Sequence, residues 1–264
     1  MLSFTDQTGH TIHLAKIPHR IISLVPSQTE LLFDLGLNEE VVGITKFCVH
    51  PQQWFHDKPK VGGTKQIKME SIDALQPDLI IANKEENTKE QVEELVKRYP
   101  VWTSDIHTLE DACEMITQVG AITGKERNAL NLISKIKTRF SQLPAEESAG
   151  PRTAYIIWQN PYMTVGGDTF IHSMLRAAGF ENIFKHLSRY PETSVEELKA
   201  ENCQLLLLSS EPFPFKQKHL EELQALLPET KILLVDGEMF SWYGSRLQEA
   251  PGYFMKLRRL LPVG

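Results

Sequence analysis

The sequence predicts an α/β protein of two Rossmann-like lobes, each with a central parallel-type sheet, joined by one long backbone helix. Three observations carry this expectation. Apolar strand runs alternate with amphipathic helices through both halves, a thirteen-residue stretch recurs 126 positions later, and an unbroken helical pattern lies between the halves.

The first half opens with Arg20 to Val25, a β-branched run suited to a strand covered on both faces, which Pro26 stops. Ser27-Gln28-Thr29-Glu30 has the form of a capping box, and Leu31, Leu32 and Leu35 follow at helical spacing before Gly36. Val41 to Ile44 and Asp78 to Ala82 are further strands, Glu90 to Tyr99 is helical, and Val101-Trp102 begins a fourth strand. Leu109 to Gly120 is one amphipathic helix. Lys125 to Leu143 is another, with Ala129, Leu132, Ile133, Ile136 and Phe140 on one face and no Gly or Pro. Pro144 to Pro151 has linker composition.

In the second half, Ala154 to Trp158 is a strand. Asp168 is placed to cap a helix carrying Phe170, Ile171, Met174 and Leu175 that ends at Gly179. Gln204 to Leu208 and Ile232 to Val235 are strands, while His219 to Leu227 and Gly252 to Leu261 are helical. The repeat aligns Met69 to Ile81 with Val195 to Leu207 without a gap, and sets Glu70 on Glu196 and Ala74 on Ala200. The expected organisation is an N-terminal lobe over 1–122, the backbone helix over 123–146 and a C-terminal lobe over 147–264. A ligand is expected in the cleft between the lobes, at the carboxyl ends of the strands.

Composition narrows the function. Lys and Arg total 28 against 34 Asp and Glu, a net charge of −6, which disfavours nucleic acid as a partner. Cys48, Cys113 and Cys203 are scattered, so neither a disulfide framework nor a CxxC motif is expected. Apolar runs such as Leu205 to Leu208 are far short of the ~18 residues needed to cross a bilayer. Met1 to Arg20 lacks the apolar core of a signal peptide, which favours a cytoplasmic location if Met1 is the native start. Gly62-Gly63 and Gly166-Gly167 do not fit dinucleotide or P-loop patterns, and no GxSxG or HExxH is present. No enzymatic activity and no covalent cofactor are expected.

Several stretches resemble the class III, helical-backbone substrate-binding proteins of ABC importers. They are RIISLVPSQTELLFDLG, VVGITKFCVHP, KVGGTKQIKMESIDALQPDLIIA, GGDTFIHSMLRAAGFENIF and SVEELKAENCQLLLLSSEP. The resemblance is nearest to the vitamin B12-binding branch and to relatives with a DGExFSWYGSR segment, here Asp236 to Arg246. It implies a monomer, periplasmic or attached to the membrane outside the cytoplasm, that carries a corrinoid or other metal chelate to a permease dimer with its ATPase. It also implies that Glu70 and Glu196, one acid per lobe, dock on the permease. A ferric siderophore, haem or a divalent metal are alternative ligands. A cytosolic corrinoid-handling protein or an enzyme on this fold is a further alternative.

Aromatics near strand ends are the ligand candidates, because a flat chelate gains from broad apolar contact. These are Phe47, Trp158, Tyr162, Tyr190, Phe240, Trp242 and Tyr243. By the resemblance, Phe47 and Tyr190 fall where the B12-binding members place aromatic contacts, and Thr64 stands where they carry tryptophan. Gln159 lies at the expected rim, and Arg246 offers a bidentate guanidinium to a carboxylate, phosphate or amide. His50, in the loop after Phe47 and Cys48, is a weak metal-ligand candidate. It has no partner at ligand spacing, and no metal site is expected.

Overall fold

The computed structural model describes residues 1–144 and 150–261. The chain divides into two compact units. One comprises Met1–Ile106, Glu110–Lys135 and Tyr243–Arg246; the other comprises His107–Leu109, Ile136–Trp242 and Leu247–Gly264.

The first unit begins with strands β1 (Leu2–Thr5) and β2 (Thr11–Leu14), paired antiparallel. Next come β3 (Ile21–Ser23), α1 (Pro26–Asp34), β4 (Val41–Ile44), α2 (Gln52–Asp57) and α3 (Met69–Leu75). After them come β5 (Leu79–Asn83), α4 (Lys89–Val96), β6 (Val101–Ser104), α5 (Leu109–Ile122) and α6 (Glu126–Phe140). The sheet runs β4-β3-β5-β6, all parallel. Its strands are buried along nearly their whole length and mostly apolar, as suits a parallel sheet covered on both faces.

The second unit holds β7 (Arg152–Ile156), β8 (Tyr162–Met163), α7 (Phe170–Ala177), β9 (Glu181–Asn182) and β10 (Glu192–Thr193). It continues with α8 (Val195–Ala200), β11 (Leu205–Ser209), α9 (Gln217–Leu226), β12 (Lys231–Val235), α10 (Glu238–Ser241) and α11 (Ala250–Arg258). Its parallel sheet runs β12-β11-β7-β9, and a short antiparallel pair joins β8 to β10. Read from β9, this is the order of the first sheet, with β7, β11 and β12 in the places of β3, β5 and β6. The apolar run from Leu205 to Leu208 is the central strand, fully enclosed.

The repeat extends to atomic detail. Strand β5 moved by 126 positions is β11, and Gln76 and Asn202, at equivalent positions, both take left-handed backbone at φ 44° and 49°. The Arg20 guanidinium donates to the Leu75 carbonyl at the end of α3 (Nη2 at 2.6 Å), and that of Arg152 donates to the Glu201 carbonyl at the end of α8 (Nη2 at 2.7 Å). Asp78 Oδ1 accepts the Arg20 amide as Gln204 Oε1 accepts that of Arg152. An arginine just before β3 and one at the start of β7 thus each fasten the short helix of their half, and each fork satisfies carbonyls left open at a helix end.

Two local expectations are corrected. The box at Ser27 does not form: Pro26 takes the first helical position, Val25 becomes the N-cap without a side-chain bond, and Ser27 lies inside the helix. Thr169, not Asp168, caps α7 by accepting the His172 amide, while Asp168 Oδ1 accepts the Arg189 amide at 2.6 Å. The capping box at the start of α8, Ser194 with Glu197, is complete. Helix α6 is unbroken over its 15 residues. Ala145 to Ala149, the centre of the expected linker, and the expected boundary after residue 146 lie outside the described residues.

Candidate functional site

In a parallel sheet all carboxyl ends share one edge, so each unit has one edge where loops converge. In the first unit that edge carries the start of α1, Lys46 to His50 after β4, Lys84 to Asn87 after β5, and Asp105 after β6. Beneath it lies a polar layer with no solvent exposure: Ser23, Gln28, Thr29, Thr45, Asn83 and Ser104. Asn83 Nδ2 donates to Ser104 Oγ at 3.0 Å, and Gln28 Nε2 donates to the same oxygen. Thr29 Oγ1 contacts Cys48 Sγ at 3.0 Å and Thr45 Oγ1 lies 3.1 Å from it, which fixes the loop from below.

Above this layer Phe47 is 51% exposed. Its ring lies against Gly63, where a Cβ would stand 3.1 Å from a ring carbon, so the glycine lets the ring lie close to the backbone. Lys46 Nζ sits 5.0 Å from the ring centroid. Thr64 is buried and its carbonyl accepts Asn87 Nδ2 at 3.0 Å. His50 is half-buried, within electrostatic range of Glu30.

Arg246 belongs to the first unit. It meets Glu30 with both arms, Nε to Oε2 at 3.0 Å and Nη2 to Oε1 at 2.5 Å. Burial pushes the Glu30 carboxyl above its ordinary range even though Arg246 pulls it down. Gly244 makes the approach possible, since a Cβ there would lie 2.8 Å from the Ser27 carbonyl. Tyr243 is 7% exposed. The arginine expected to meet a ligand therefore holds a carboxylate of its own unit.

In the second unit the converging loops are Trp158 to Tyr162 after β7, Ser210 to Phe215 after β11, and Asp236 to Trp242 after β12. Trp158 is 41% exposed and stands edge-on to Phe213, with centroids 5.8 Å apart. Phe213 is backed by Phe215 at 4.8 Å and His219 at 5.3 Å, and His219 Nδ1 accepts the Lys216 amide. Sequence reasoning missed Phe213; the Phe213-Pro214-Phe215 triplet after a buried strand was the available signal. Tyr162, like Phe213, packs partly buried against the core of this unit, and Gln159 is half-buried. Tyr190 is half-buried with the Arg189 guanidinium 5.6 Å from its centroid.

Phe240 is corrected to a core residue. It has no exposed surface and packs on Tyr155 at 5.1 Å and Phe254 at 4.9 Å, so it has no face to offer a ligand. Trp242 is 6% exposed, with its indole N–H donated to Glu211 Oε1 at 3.0 Å. Glu70 and Glu196 are exposed in the first turns of α3 and α8, at equivalent places in the repeat. Among the described residues no group of three or more His, Cys, Asp or Glu side chains is placed to hold a metal ion.

A family model described as periplasmic binding protein matches residues 21–228. The vitamin B12-binding protein of Vibrio campbellii is 29% identical over 194 residues, 72% of this chain and 70% of that one. The siderophore-binding protein BauB, solved with two acinetobactin molecules and ferric iron, aligns with a TM-score of 0.80 at 20% identity, covering 99% of both chains. A periplasmic haem-binding protein of Pseudomonas aeruginosa aligns with a TM-score of 0.78 at 21% identity, covering 91% of this chain and 92% of that one. The two solved structures share the fold, and because the family model spans well over half of the sequence, the chain belongs to the periplasmic binding protein family.

Proposed function

We propose that this protein binds a corrinoid and delivers it to the permease of an ABC importer. The family consists of solute-binding proteins, and the chain is a binding protein rather than an enzyme. One observation carries the ligand reading. Each unit presents one strongly exposed aromatic side chain with a close neighbour at the carboxyl edge of its sheet, Phe47 by Gly63 and Trp158 by Phe213. Such faces suit a large, flat, partly apolar molecule. The named activity of the Vibrio campbellii relative favours a corrinoid among such molecules. Tyr162, Tyr190, Gln159 and His50 are the flanking contacts in this reading, and Glu70 and Glu196 meet the permease. No helix among the described residues is long and apolar enough to cross a membrane. The proposed place of action is outside the cytoplasm, as for the family.

Haem or a ferric siderophore is the second reading, favoured by the cations set over Phe47 and Tyr190. Isothermal titration with cobalamin, cobinamide, haem and a panel of ferric siderophores tests both. Saturable one-to-one heat with a corrinoid is expected; heat only with haem or a siderophore selects the second reading, and none with any of them overturns the chelate proposal.

A further inference from the structure

The segment from Lys46 to Lys68 holds five lysines, Lys46, Lys58, Lys60, Lys65 and Lys68, against a single acid, Asp57, in a chain of net charge −6. Among the described residues none of the five pairs with a carboxylate. Their partners are carbonyls and ring faces. Lys58 Nζ donates to the Asn38 carbonyl at 2.8 Å and lies 5.3 Å from the Trp54 ring centroid. Lys60 Nζ donates to the Phe55 and Lys58 carbonyls at 2.6 and 2.7 Å, and Lys65 Nζ donates to the Glu85 carbonyl. A carbonyl orients an ammonium without neutralising it, so the positive field of the segment persists. Glu86 lies within the field of Lys65, yet burial pushes its carboxyl above the ordinary range, which weakens it as a counter-charge.

Lys46 is the member of this set beside the exposed aromatic face. Its ammonium has no hydrogen-bond acceptor among the described residues and rests over Phe47. A ligand whose apolar body covers Phe47 would bring its rim substituents to that ammonium. We propose that the ligand carries a phosphate or carboxylate beside its apolar body, with Lys46 as the specificity-determining contact. This rests on the reading that Phe47 meets the ligand.

Two ligand pairs test it. Cobalamin carries a phosphodiester arm that cobinamide lacks, and haem carries two carboxylates that its dimethyl ester masks. Dissociation constants for all four are measured by tryptophan-fluorescence quenching on wild type, Lys46→Gln and Lys46→Arg, at low and high salt. The anion-bearing member of at least one pair should weaken about fivefold on Lys46→Gln, the size of one exposed ion pair. The counterpart without that anion should hold, Lys46→Arg should restore the affinity, and salt should shrink the difference. Equal loss in both members, or no loss in either, overturns the inference while leaving the chelate reading intact. If none of the four binds, the corrinoid and haem readings fail, and pyrophosphate titrated by NMR decides the anion preference alone. Amide shifts from Lys46 to Lys65 that vanish in Lys46→Gln support it, and their absence overturns it.

Discussion

Replacing Arg246 with methionine isolates the cost of leaving one carboxylate alone. Glu30 and Arg246 are 216 positions apart, and their side chains are only 16% and 13% exposed. Removing one partner of a fully buried pair costs about 3–5 kcal/mol. Residual exposure here lets water reach the orphaned carboxylate, so about 2–3 kcal/mol is expected near neutral pH. The pH dependence has a definite sign. Burial already raises the Glu30 carboxyl, and Arg246 is the main influence holding it down, with Asp34 pushing it up. In Arg246→Met the folded-state value rises further. A raised acid contributes its full stability below its unfolded value and loses it as pH rises through the folded value. The variant should therefore lie near wild type at acid pH and fall furthest behind it above neutrality. Urea unfolding followed by tryptophan fluorescence at about pH 4.5 and 7.5 measures this on Arg246→Met, Glu30→Gln and the double variant. The double variant should be more stable than Arg246→Met alone at the higher pH, because the neutral amide removes the orphaned charge. A loss in Arg246→Met that is the same at both pH values, or a double variant weaker than the single, would refute this account.

Phe240→Ala should cost about 3–5 kcal/mol in the same unfolding assay, whereas Trp158→Ala should change stability by less than ~1 kcal/mol yet weaken ligand binding about tenfold. The opposite pattern would move the binding face away from β7. Burial pushes the Cys48 thiol up, and that of Cys203 up to about 11, so mass spectrometry should find neither alkylated by iodoacetamide at about pH 8 until the chain is unfolded. Alkylation of either in the native protein would show that its core opens.

The sequence carried the sheet architecture because enclosed parallel strands are rich in apolar residues, and Ile21-Ile22, Leu79 to Ala82, Ala154 to Ile156 and Leu205 to Leu208 are the apolar runs of β3, β5, β7 and β11. It carried the repeat because helix, turn and strand recur without a gap. The arginine fasteners were invisible, since Arg20 and Arg152 bind carbonyls, which every residue has. Likewise, Ser27 to Glu30 matched a capping pattern, but the rigid ring of Pro26 moved the helix start and freed Glu30 for a partner far along the chain. Strands β1 and β2 escaped notice because four-residue strands with largely exposed faces leave no apolar run. Local patterns therefore found the elements, while the ion pair and the aromatic neighbours of Trp158 depended on contacts that no spacing rule encodes.

The same distinction sorts the seven aromatic candidates. Phe240, Trp242 and Tyr243 come from one short segment rich in rings, but packing places all three below 8% exposure. Phe47 and Trp158 stay open although each is isolated in sequence, and each has a close neighbour: Gly63 for the first, and for the second a phenylalanine backed by two further rings. An exposed ring that is already immobile loses little freedom when a ligand covers it, so more of the contact energy appears as affinity. That points to bracing, more than aromatic count, as the property that makes a ring a binding face. It predicts that loosening Phe213 would weaken a ligand held by Trp158 without removing any atom that touches it.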